Sequence, residues 1–93
     1  MRFEWDANKA SSNLAKHGVS FGEATEVFYD PNAIEGFDAF HSATEIRLFV
    51  MGLSTRRLLF VVYTEIAEDT VRIITARKTT KREREIYERR IIR

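Results

Sequence analysis

Between Ile46 and Arg77 three apolar runs follow one another with little between them: Ile46–Leu53 (IRLFVMGL), Arg57–Glu65 (RLLFVVYTE) and Thr70–Arg77 (TVRIITAR). Links as short as Ser54-Thr55-Arg56 cannot carry a crossover, so successive runs must lie antiparallel as a meander. The middle run is apolar on both faces, Leu58-Leu59-Phe60-Val61-Val62. A strand that is half exposed alternates; one that does not alternate is covered on both sides, at least in part. The covering layers must therefore come from the flanking segments.

Those segments read as helices. Arg2–Trp5 is a short edge strand. Asp6 is an N-cap for a helix running to Lys16, with Ala10, Leu14 and Ala15 as a thin apolar face and Gly18 at the left-handed position after its end. Ser20-x-x-Glu23 has the capping-box spacing, and Phe21, Ala24, Val27 and Phe28 follow at helical intervals until Asp30-Pro31 stops the helix. Ala33–Phe40 reads as a short strand with a loop. Thr80-Lys81-Arg82-Glu83 is a second capping box, opening a helix to Ile91 whose apolar contacts are Ile86, Tyr87 and Ile91. The order β-α-α-β(β)-β-β-α predicts an α+β fold in one domain, residues 1–93. Two N-terminal helices pack on a twisted antiparallel sheet, and a C-terminal helix follows.

Charge is unevenly spread. Residues 1–70 hold 6 Lys/Arg against 11 Asp/Glu, and residues 71–93 hold 9 against 3, so a net charge of +1 conceals an acidic front and a basic tail. A basic end asks for an anionic partner, with nucleic acid the first candidate. At 44% hydrophobic and 31% charged, the chain has the composition of a folded domain rather than a disordered one. With no cysteine, a disulfide framework and a Cys-based zinc site are excluded. The longest apolar run, Leu58–Tyr63, is far short of the ~20 residues of a membrane helix. These features predict a cytoplasmic protein with no membrane partner.

The run FEWDANKASSNLAKHGVSFGEATEVFYDP, followed by VVYTE, VRIITARKTTKRERE and IYE, resembles the BrnT family of bacterial toxins. The most specific pieces are Trp5-Asp6, Asn13-Leu14, Lys16-His17-Gly18-Val19-Ser20-Phe21 and Ile73-Ile74-Thr75-Ala76-Arg77. The resemblance implies a RelE-like fold and an endoribonuclease toxin of a type II toxin–antitoxin pair that inhibits translation. It also implies a BrnA-like ribbon-helix-helix antitoxin as partner, with operator DNA bound only through the toxin–antitoxin complex.

Cleaving RNA without a metal requires a base for the ribose 2′-OH, an acid for the leaving 5′-oxygen and cations for the phosphorane. Two distant histidines and no cysteine predict no metal site and no cofactor. Arg77, at a strand end before a helix, is the first candidate to hold the phosphate bidentately; a plain surface pair with a neighbouring carboxylate is the alternative. Lys78 and Arg82 supply diffuse phosphate attraction or a solvated helix face. Glu65 is a candidate base, expected to project with Tyr63 beside Arg57 by the two-residue period, or else an ordinary residue before a turn. His17 brings an imidazole, the side-chain type suited to both proton transfers, and equally suits a helix C-terminus. Lys16 beside it is a candidate phosphate contact. Glu83 is explained by its capping box. His41 is left without a role.

Two further readings use the same basic end: a non-catalytic module that binds RNA or protein, and a surface that serves the antitoxin. Base preference, dependence on the ribosome and dimerisation of the free protein are open from sequence.

Overall fold

A computed structural model describes residues 1–38 and 45–91. Five strands and three helices occur in the order β1 (Arg2–Glu4), α1 (Ala7–His17), α2 (Phe21–Glu26), β2 (Ile34–Phe37), β3 (Leu48–Leu53), β4 (Leu58–Ala67), β5 (Thr70–Lys78) and α3 (Lys81–Ile91), with a single 3-10 turn at Val27–Tyr29. His41 and the end of the predicted 33–40 segment lie outside the described residues.

The meander is present. β2, β3, β4 and β5 pair antiparallel in sequence order, and the spatial order is β1-β5-β4-β3-β2. The first strand departs from the expected all-antiparallel sheet. β1 runs parallel to β5, with Phe3 opposite Val71, so the sheet is mixed. The long connection through both helices and three strands is what permits a parallel neighbour here.

The caps act where the sequence placed them. The Asp6 carboxylate accepts from Lys9 N–H at 2.9 Å, Ser20 Oγ from Glu23 N–H at 3.0 Å, and Thr80 and Glu83 exchange bonds of 2.9 and 3.1 Å. Gly18, at φ 68°, closes α1 with its N–H on the Leu14 carbonyl. One turn is tighter than expected: after Glu26 the second helix continues as a 3-10 turn up to Asp30.

Helices α1 and α2 cover one face of the sheet. Val19, Phe21, Ala24 and Val27 interlock there with Val50, Leu59, Val61, Tyr63, Val71, Ile73 and Ala76. The opposite face carries a smaller cluster in which Tyr87 of α3 packs with Met51 and Leu58, flanked by Ile34 and Phe60. The doubly apolar β4 is explained by these two unequal layers.

Helix α1 does not bury the face its apolar residues suggested. Leu14 is 52% exposed, and the buried residue is Asn13 at 7%. β1 pairs only with Thr70–Arg72, so the rest of β5 has an open edge. Asn13 closes it: its amide donates to Ala76 C=O at 2.8 Å and accepts from Ala76 N–H at 3.1 Å, as a neighbouring strand would. A third bond from the same amide reaches Val19 C=O at 3.0 Å. Buried backbone groups require partners, so this polar residue takes the inward position ahead of the leucine.

Candidate functional site

Arg77 emerges on the sheet face opposite α1 and α2, where β5 gives way to α3. Its guanidinium lies 4.3 Å from the centre of the Phe60 ring, its partner residue across β4–β5. Phe60 in turn stacks on Phe49, 4.9 Å between centroids and 13° between planes. Phe49 lies over Gly36 of β2, where a Cβ would come within 2.4 Å of the ring. A row of planar groups thus crosses three strands, β3, β4 and β5, and ends at the cation. The row holds the guanidinium plane in a set orientation.

The fork of that guanidinium is occupied by a carboxylate. Arg77 Nη1 and Nη2 donate to the two oxygens of Glu83 at 2.8 and 3.0 Å, and Nη1 also donates to Lys78 C=O at 3.1 Å. The Arg77 bond, followed by those from Thr80, holds the Glu83 carboxyl below the ordinary carboxylate range despite its partial burial. Glu83 is therefore a poor proton acceptor, and the geometry in this state is the carboxylate pair named above as the alternative. Bidentate pairing also demonstrates that the site accepts a planar, two-oxygen anion.

Two residues back along β5, on the same face as Arg77, Thr75 lines a cleft of about 440 Å³ between α1 and the sheet. His17 and Lys16 line it too, brought there because Asn13 docks α1 on the β5 edge. Two of the candidates, Lys16 and His17, thus share a cleft with Thr75, two residues along β5 from Arg77, which is not among the residues that line it. Lys78 and Arg82 are exposed nearby, on the strand end and the first turn of α3.

The remaining candidates are elsewhere. Arg57 does not stand beside Glu65; the two occupy opposite ends of β4, eight residues and about 26 Å apart. The Arg57 guanidinium is held in place, with Nε and Nη2 on the Glu23 carboxylate at 3.0 and 2.8 Å and Nη2 also on Gly18 C=O at 2.9 Å. Glu23 completes the clamp by accepting from Ser54 Oγ, while Glu26 accepts from Thr55, so the β3–β4 turn is tied to α2. Glu65 and Tyr63 do share a face, but it is the helix-covered one. Tyr63 is 7% exposed, packs edge-on against Phe28, and has its hydroxyl pushed up to about 12 by burial and then by Glu35 and Glu65. Glu65 pairs with Val71, about 20 Å along β5 from Arg77.

Sequence reading passed over Phe49, Phe60 and Asn13. The two phenylalanines sit in strands that are apolar on both sides, so period two could not say which face they served. Asn13 entered only as part of the Asn13-Leu14 piece of the family resemblance, with no role attached to its side chain.

A small α+β domain with one sheet face under two helices, the other covered only in part by α3, and a cationic corner where β5 meets α3 is the class defined by these features. The family model for the "Ribonuclease toxin, BrnT, of type II toxin-antitoxin system" matches residues 5–83, and the chain belongs to that family. The crystal structure of the Brucella abortus ribonuclease toxin BrnT, at 1.1 Å resolution, superposes with a TM-score of 0.64 over 87% of this chain and 99% of that one. Sequence identity there is 19%, so this likeness speaks for the fold. No curated protein sequence matches the chain. The chain is accordingly an endoribonuclease toxin, and as half of a type II system it has an antitoxin partner.

Proposed function

We propose that RNA is cleaved on the open sheet face at the second half of β5, without a metal, by transesterification. The ribose 2′-oxygen attacks the adjacent phosphorus, the bond to the 5′-oxygen breaks, and a 2′,3′-cyclic phosphate remains. Arg77 holds the phosphate, taking it in the fork that Glu83 fills in the free protein. His17 is the group for the proton that leaves the 2′-OH and the proton that the 5′-oxygen gains, since an imidazole changes charge near neutrality. Lys16 supports the negative charge, and Lys78 and Arg82 draw RNA toward the corner. Glu65, Tyr63 and Arg57 have no part in this step, because they face the other layer or the other end.

The observation that carries this reading is the bidentate carboxylate on an aromatic-backed Arg77. Its two bonds have the geometry that a phosphate would use. The partner is taken to be a BrnA-like ribbon-helix-helix antitoxin, with operator DNA contacted through the complex. Purified protein incubated with RNA in chelating buffer tests the chemistry. Arg77→Ala should lower the cleavage rate on the order of 100-fold, as loss of a charge-stabilising donor does. Arg77→Lys should recover part of it. Circular dichroism of each variant separates this loss from misfolding. An Arg77→Ala protein that cleaves at the wild-type rate would remove Arg77 from the site and leave the non-catalytic binding role for the basic end.

A further inference from the structure

We infer that the cleft between α1 and β5 is a subsite for the nucleotide next to the scissile phosphate, resting on the assignment of that phosphate to Arg77. Lys9 and Lys16 stand about two helical turns apart on one side of α1, and Arg47, at the approach to β3, lines the same cleft. Among the described residues that line it, none is acidic. Arg47, whose Nε donates to Glu45 at 3.3 Å, adds a third positive charge.

The floor differs from the rim. Tyr63 pairs with Ile73 and Val62 with Thr75, so Ile74 is the extra residue of a β-bulge in β5. A bulge re-aims the side chain it releases. Ile74 lines the cleft together with Ser12 and Thr75. An apolar floor with two hydroxyls at hand suits a ribose and base, while the lysines suit the phosphate. The volume, about 440 Å³, is in the range of small-ligand sites, and the cleft is open to solvent along its length.

Position gives the subsite its place on the strand. Thr75 and Arg77 are two residues apart on one face, about 7 Å. One strand of RNA can therefore touch both. In the other direction the path turns unfavourable. The neighbouring hollow shares Lys9 and Ile74 with the cleft, but is lined by Glu4, Asp6 and Glu45. Arg72 lines it too and is held by Glu4, so three carboxylates face two cations and a further phosphate finds no net positive charge; the basic track ends at this one nucleotide.

The test uses a fluorescent 2′-O-methyl oligoribonucleotide, which binds but has no free 2′-OH with which to react. Its dissociation constant is measured across a salt series for wild type, Lys9→Gln and Arg90→Gln. Lys9 caps through its backbone N–H, so its side chain can be replaced without disturbing α1. Lys9→Gln should weaken binding roughly 5-fold and flatten the logarithmic salt slope by about 0.7, the value for one phosphate contact on a single strand. With cleavable RNA it should raise KM and leave kcat nearly unchanged. Arg90→Gln, at the far end of α3, should change binding much less. Equal losses in the two variants, or no loss in Lys9→Gln, would overturn the subsite. If instead wild type binds, Lys9→Gln weakens that binding and RNA stays uncut, the cleft stands and the cleavage assignment falls.

Discussion

Asn13 shows how one side chain decides where an element sits. Its amide meets the carbonyl and N–H of Ala76 and the carbonyl of Val19, all in a buried setting. Asn13→Ala should cost about 2–4 kcal/mol in urea unfolding, since it leaves several backbone groups without partners. Asn13→Asp should cost at least as much: the carboxylate still accepts from Ala76 N–H, but it faces two carbonyl oxygens. Equal stability of wild type and Asn13→Ala would mean that water replaces the amide freely. Nothing in the sequence marks this residue as buried, because an asparagine on a short helix reads as surface. The demand for it comes from the β5 edge 63 residues away. The same distance effect explains Arg57. In sequence it is one more cation near a strand; in the fold Glu23 and Gly18 hold it through Nε and Nη2.

At the scale of elements, α3 is the part attached by the fewest groups. Tyr87 is its buried residue, and the hydroxyl donates to Asp30 Oδ2 at 2.5 Å. The Arg77–Glu83 pair and the Thr80–Glu83 exchange secure its first turn. Ile86 and Ile91, read from sequence as further contacts, are 41% and 46% exposed. Tyr87→Phe keeps the ring and removes a bond to a charged acceptor, worth about 1.5–3 kcal/mol. Hydrogen exchange should then quicken across α3 while α1 amides keep their protection. Uniform acceleration across both helices would mean that α3 does not open as a separate unit. The helix itself was legible from its capping box, which is a local pattern. Its seat on β3 and β4 was not, because a stripe of three apolar residues does not say which of two apolar sheet faces it meets.

Across the whole molecule the two charge blocks do not separate cleanly: Glu23 and Glu26 of the acidic front tie down the β3–β4 turn, at the same end of the sheet as Lys78. The β4–β5 turn brings Glu68 and Asp69 to one end of a body 37 Å long, and the strand end with Arg77 and Lys78 lies at the other. Three carboxylates meanwhile hold seams between layers. Glu23, chiefly through Arg57, and Glu83, chiefly through Arg77, sit below the ordinary carboxyl range. Burial pushes Asp30 up, but the Tyr87 hydroxyl and two backbone N–H groups more than offset it. A carboxyl with a depressed folded-state value stabilises the fold fully above its unfolded value, near 4 to 4.5, and that contribution is lost as pH falls through the lower folded value. The melting temperature should therefore be level at neutral pH and fall steeply below about pH 4. Glu23→Gln should melt lower at pH 7 and show a shallower fall in acid. Parallel acid profiles for wild type and Glu23→Gln would mean that the clamp to Arg57 contributes nothing to stability. The partly open sheet face, where the site is proposed, is likewise a property of the whole, since α1 and α2 cover the other side and α3 covers only part of this one.

What the sequence determined by itself is everything that depends on neighbours along the chain. The meander follows from short links, three helix starts from their caps, and the α1 end from Gly18; family membership follows from motifs kept in order. The tertiary structure alone decided which face each strand side chain serves, and hence that Arg77 and Thr75 look one way while Tyr63 and Glu65 look the other. It also decided that β1 runs parallel to β5 and that an asparagine takes the place of a missing strand. The reason is physical: local patterns set backbone shape within a few residues, whereas burial and pairing are settled by groups that meet only when distant segments pack.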